Sequence, residues 1–288
     1  MNQENFGQAL PKKIEKGDIN PNLPAVGGTE IVLQRHGKYE RSADSPKVGS
    51  LTEEGIEEIY TSGKDFFGKL FDAIPESERS NIDILVLASD TQHKDGGQRS
   101  METADQIIKV VKEELGRLNL NESQLLNTSG NVSGEGDAPR PTPKLREPQM
   151  FNNSPEFVEF LKDKYGDMNL DFWIAFEEDK EKETRQAMGA EGPDEITDRM
   201  QLMIDILARY SRFYHDKHPD RRLIIWAATH YDTISPYVKR EIFKVGKDAV
   251  LGVDYGAGIS ITLDKDGKGS VKIAGNEYEV PLKTATKS

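Results

Sequence analysis

The chain has 288 residues, enough for one large domain or two small ones with a sizeable core. Its net charge of −12 argues against non-specific binding to nucleic acid or an anionic membrane, although a local arginine cluster can still oppose that field for an anionic substrate. There is no cysteine, which excludes disulfides, thiolate nucleophiles and zinc–thiolate sites.

Residues 1–28 are polar and punctuated by Pro11, Pro21, Pro24, Gly27 and Gly28. They read as an extension that drapes over the domain or stays mobile. No apolar h-region and no membrane-length run is visible, so a cytoplasmic location is expected. The first predicted strand is Glu30–Gln34. A helix follows, with Ile56, Ile59, Gly63, Phe66, Phe67 and Leu70 at helical spacing and Thr52 as its N-cap. Ile82–Ser89 is a near-continuous apolar run, as in a strand buried on both faces. The stretch "METADQIIKVVKEELGRL" is amphipathic and helical. Residues 121–144, rich in Gly, Pro, Ser and Asn, predict a long flexible loop. Ser154-Pro155 opens another helix. The acidic stretch "FEEDKEKE" reads as a solvated helix face. Ile196, Met200, Met203, Leu207, Tyr210 and Tyr214 mark a strong amphipathic helix, and Arg222–His230 is a third buried strand. The segments "GISITL", "SVKIA" and "EYEV" predict antiparallel strands, with a hairpin turn at "DKDGKG". Together these elements predict an α/β fold: a three-layer α/β/α sandwich with a mainly parallel central sheet and a C-terminal antiparallel β meander. Residues 29–288 would form that single domain.

In open parallel sheets, ligands bind beyond the carboxyl ends of the strands. Three predicted strands end in polar residues there: Arg35-His36-Gly37, Ser89-Asp90 and Thr229-His230. Arg99 opens the helix after the second, where a cation opposes the macrodipole, which favours an anion-binding role. Arginines bind phosphate through planar forks. An imidazole kept neutral between guanidinium groups is a competent nucleophile toward phosphorus. Gly37 would let the backbone pass close to a phosphate.

The ordered series "RHG" (35–37), "LTEEG" (51–55), "RSMETA" (99–104), "LRE" (145–147) and "ATH" (228–230) resembles the histidine phosphatase superfamily, also called phosphoglycerate mutase-like. The likeness spans roughly residues 30–264. It implies that His36 is the nucleophile forming a phosphohistidine. Arg35, Arg99 and His230 would line the phosphate pocket, with His230 also counted as catalytic, and Glu147 would be the general acid. The family needs neither metal nor cofactor. The implied activity is metal-independent phosphomonoester hydrolysis on a phosphorylated small molecule or a phosphoprotein. Two alternatives share the fold: a mutase-like phosphotransferase and a non-catalytic module that binds a phospho-ligand.

The departures from the family carry information too. "DTQHKDGGQ" between Ser89 and Arg99 is longer than the family's usual connection, so this loop is expected to shape the substrate mouth, with His93 a candidate substrate contact. "KYERSADSPK" lacks the Ser and Asn that mutases carry after RHG, which disfavours glycolytic mutase activity, while Tyr39 and Arg41 are candidate substrate contacts. Another branch places an acidic Asp directly after the second histidine. Asp232 stands one position later and competes with Glu147 for the acid role. Glu102 reads as a helix-dipole partner, and His215 and His218 as favourable C-terminal helix contacts. Neither substrate nor oligomeric state follows from these residues.

Overall fold

The apolar runs that alternate with helices become neighbouring strands of one sheet. The computed structural model describes residues 11–42, 44–93, 96–127 and 137–283. Its strands are β1 (Lys13–Ile14), β2 (Thr29–Arg35), β3 (Ile82–Ala88), β4 (Arg140–Pro141), β5 (Arg222–Thr229), β6 (Gly252–Val253), β7 (Gly258–Leu263), β8 (Gly269–Ile273) and β9 (Asn276–Val280). The main sheet has the order β4-β3-β5-β2-β7-β8-β9. β4, β3, β5 and β2 are mutually parallel, and β7, β8 and β9 continue antiparallel from β2. The helices are α1 (Glu53–Asp72), α2 (Arg99–Arg117), α3 (Met150–Asn153), α4 (Pro155–Tyr165), α5 (Leu170–Glu177), α6 (Lys182–Ala187), α7 (Pro193–Lys217) and α8 (Tyr231–Tyr237).

The central strands are apolar at successive positions because both sheet faces are covered. Val32, Ile84, Val86, Ile224 and Trp226 pack under α1 and α2. Ile31, Leu33, Leu85, Ile225 and Ala227 pack under α7 and α8. This is the three-layer α/β/α sandwich with its C-terminal meander. A smaller core, including Met150, Phe157, Leu161, Phe172 and Phe176, joins α3, α4 and α5 to the start of α7. Trp226 donates from Nε1 to Gln34 Oε1 at 2.9 Å, and Gln34 donates in turn to the Gly256 carbonyl at 3.0 Å.

Local signals explain where helices begin. Thr52 accepts the Gly55 N–H at 3.0 Å as the N-cap of α1. α7 starts at Pro193, and Glu195 reaches back to the Gly192 N–H at 3.2 Å. Asp264 accepts the Asp266 and Lys268 N–H groups in the β7–β8 turn.

One segment takes one of its two expected forms, and two others differ from expectation. Residues 11–28 are tied down: Ile14 is fully buried, and β1 pairs with β6. Residues 1–10 of the expected extension lie outside the described residues. In the expected loop, 128–136 likewise lie outside, but both flanks carry structure. Leu125 bridges to Ile84, β4 pairs with the end of β3, and the Asn127 amide bonds both the N–H and the carbonyl of Val86. A side chain there substitutes for a strand, so no hydrophobic period betrays it. The acidic stretch is not a solvated face throughout. Glu177 and Asp179 are buried, paired with Lys239 (2.5 Å) and Arg185 (2.7 Å). Among the described residues, no helix is long and apolar enough to cross a membrane.

Register places the polar strand ends together. Arg35 pairs with Thr229, and Ala88 with Ala228, so His36, Ser89 and His230 leave the sheet at one edge.

Candidate active site

His36 is held by its own turn. Its N–H donates to the Thr229 carbonyl at 2.9 Å, and the next N–H, of Gly37, donates to Thr103 Oγ1 at 3.0 Å. The ring Nδ1 lies 2.8 Å from the Gly37 carbonyl, which can only accept, so Nδ1 carries the proton. Nε2 therefore presents its lone pair, and it accepts from Arg99 Nε at 3.0 Å. Burial pushes the imidazole pKa well below its ordinary value, and Arg99, His230 and Arg35 push the same way. His36 is a neutral base with one directed lone pair.

Arg99 is the hub. As the first residue of α2 it turns its guanidinium back over the strand ends, where it is 8% exposed. One nitrogen meets Glu147 Oε2 at 2.5 Å and approaches His230 Nδ1 at 3.5 Å. The long connection before it does not displace it. Ser89, just after β3, and Thr91 from that connection build the floor: His230 Nε2 lies 2.9 Å from Ser89 Oγ, which donates to Thr91 Oγ1 at 2.9 Å. Thr91 Oγ1 also accepts the Glu147 N–H at 3.3 Å. Arg199 of α7 donates to the carbonyls of Lys144 and Arg146, fixing the segment that carries Glu147. Burial, then Arg99 and Arg35, hold the His230 pKa well below normal.

Arg35 stands beside this cluster. Its guanidinium lies 3.8 Å from the Tyr255 ring centroid and 5.5 Å from that of Tyr231, and donates to the Val253 carbonyl at 2.5 Å. Its Nε is buried without a hydrogen-bond partner. The rings of Tyr39 and Tyr255 meet the His36 ring at 5.2 and 5.8 Å. Arg41 reaches over them and donates to the Tyr255 hydroxyl at 2.5 Å. Asp232 lies in the first turn of α8, 7% exposed, with Oδ1 unpartnered. Burial and the neighbouring Glu147 push its carboxyl up to about 7, against the pull of Arg99, Arg35 and Arg199.

The structure thus gathers His36, Arg35, Arg99, Glu147, His230, Tyr39 and Asp232, with Arg41 at the rim. His93 is seen packing over Gly49, where an added Cβ would come within 2.4 Å of the His93 Cβ, and its backbone closes a turn with Gly96 and Gly97; 94–95 lie outside the described residues. Glu102 accepts the Leu51 and Gln98 N–H groups, so it locks the start of α2 to the loop before α1. Gly37 also has a packing reason that its sequence does not suggest. A Cβ there would sit 2.9 Å from Ile59 and 3.1 Å from the Gly55 carbonyl, and a Cβ on Gly55 would sit 2.2 Å from the Lys38 carbonyl. The two glycines let the turn after β2 lie directly on α1. Sequence reasoning placed Ser89 at the ligand edge without giving it a role, and it missed Tyr255, Tyr231, Thr91 and Arg199. Only Arg199 had a signal, the charged approach "GPDEITDRM" to the long helix.

No protein-family model and no curated protein matches the chain. Among solved structures it is similar to a phosphoglycerate mutase from Bacillus anthracis (16% identity, 86% of this chain and 93% of that one, TM-score 0.48). A mycobacterial glucosyl-3-phosphoglycerate phosphatase gives 14% identity over 85% and 97%, with a TM-score of 0.44. An alpha-ribazole phosphatase from Shigella flexneri gives 17% over 86% and 96%, with a TM-score of 0.41.

Proposed function

We propose that the protein is a phosphomonoester hydrolase that works through a phosphohistidine on His36, with no metal in the reaction. The observation that carries this reading is the His36 lone pair, directed by the Gly37 carbonyl and facing the Arg99 guanidinium in a buried site. A substrate phosphoryl group would displace the Arg99–Nε2 contact and take its place. Nε2 attacks phosphorus as the bond to the leaving oxygen breaks, and a carboxyl group gives that oxygen its proton. Arg99, Arg35 and His230 stabilise the charge on the equatorial oxygens. Water then attacks the phosphohistidine and returns a proton to the carboxylate, releasing phosphate and neutral His36.

Glu147 is the proposed proton donor, since its carboxylate already touches Arg99 at the edge of the cluster. A specific observation favours Asp232 as a second reading: a buried carboxyl with an unpartnered oxygen, raised to about 7, is protonated where an acid is needed. The reading is tested by His36→Ala on an aryl phosphate, with detection of an acid-labile, base-stable phosphoryl adduct. We expect the adduct to vanish and turnover to fall on the order of a thousandfold or more. Turnover near the wild-type rate overturns the assignment.

A further inference from the structure

We propose that Arg41 binds a second anionic group of the substrate, so that the preferred ligands are small phosphate esters carrying a carboxylate or a further phosphate. The inference rests on the phosphoryl site proposed above. Its geometry is a single ring with a guanidinium on either count: Arg99 stands 4.7 Å from the Tyr39 centroid and Arg41 stands 5.2 Å from it. A phosphoryl group held by Arg99 and an anion held by Arg41 are therefore within the span of one small molecule.

Charge pairing points the same way. Lys38, also close to the nucleophile, is taken up by Glu54 and by Glu58. Arg146 is held by Asp90 at 2.6 Å, and Arg199 by Glu191 at 2.8 Å. Among the described residues, no carboxylate lies within ion-pair distance of Arg41. Its partners are the side chains of Tyr255 and Tyr39, uncharged contacts that an anion can replace at little cost. The chain as a whole carries −12, so an exposed, unmatched guanidinium at the mouth supplies local attraction where the surface otherwise repels. Both rings that Arg41 touches also touch His36, so the bound anion would lie directly beside the reacting end.

The test is calorimetric binding of three probes to the full chain at low salt: ethyl phosphate, phosphoglycolate and propanediol bisphosphate. We expect at least one of the two-anion probes to bind about tenfold or more tightly than ethyl phosphate. Arg41→Gln should bring that ratio to within about twofold, and Arg41→Lys should keep part of it, because the charge remains while the fork is lost. Which probe gains identifies the second group as carboxylate or phosphate. A wild-type ratio near one, or a ratio that survives Arg41→Gln, overturns the proposal. A phosphohistidine on His36 without this ratio defeats the anion subsite alone; the ratio without a phosphohistidine defeats the catalytic reading alone.

Discussion

A neutral imidazole has one lone pair, and at His36 a backbone carbonyl decides where it points. The same logic of enforced protonation applies to Asp232, whose carboxyl is raised to about 7 by burial and by Glu147. If it donates the proton, activity falls about tenfold per pH unit above that value, as the acid form disappears. Asp232→Asn should then lower turnover about a hundredfold or more and remove that limb of the pH–rate profile. A limb that persists unchanged in the variant assigns the proton to Glu147. At this scale the site was largely legible: His36, Arg99 and His230 stand in short motifs at strand and helix ends, and Glu147 in a short motif of the segment before α3. Tyr255 and Tyr231 were not, because an aromatic that stacks on an arginine has no required spacing from it in the chain.

The turn after β2 and the first turn of α1 form one packed unit, in which Gly37 faces the Gly55 carbonyl and Gly55 faces the Lys38 backbone. Gly37→Ala forces a methyl against Ile59 and the Gly55 carbonyl, and should destabilise the fold by about 1–3 kcal/mol in denaturant unfolding. It should also shift His36, whose Nδ1 depends on the Gly37 carbonyl, so activity should fall by more than the change in folded fraction explains. Retained stability and activity would show that this contact relaxes freely. The central strands and long helices were readable because burial on two faces or one stripe imposes a period. Residues 121–127 and 137–144 were not, since Asn127 satisfies β3 with a side-chain amide. Glu177 and Asp179 look like surface charge until the basic partners from α6 and the region after α8 arrive.

The whole molecule holds another buried carboxyl with a raised pKa, at the end of β2 away from the site. Glu30 of β2 is fully buried; its Oε1 accepts the Asn22 N–H at 3.1 Å, while Oε2 has no partner. Burial raises it to about 8 from an ordinary value of 4.5. A raised carboxyl favours the fold while it is protonated. That contribution is complete below about 4.5 and is lost as pH rises through about 8. Unfolding free energy should therefore decline by a few kcal/mol across this window, and Glu30→Gln should flatten the decline. An identical slope in the variant would mean that Glu30 ionises at no cost. β2 also poses a problem of alignment. Apolar side chains lie on both its faces, so hydrophobic burial alone penalises a one-residue slip weakly, yet such a slip would trade the positions of Arg35 and His36. Gln34, bonded to Trp226 on one neighbour and to Gly256 before the other, is the polar group that tells the correct alignment from the shifted one. A residue remote from any proton transfer thus acts as the index mark that decides which side chain faces the candidate site.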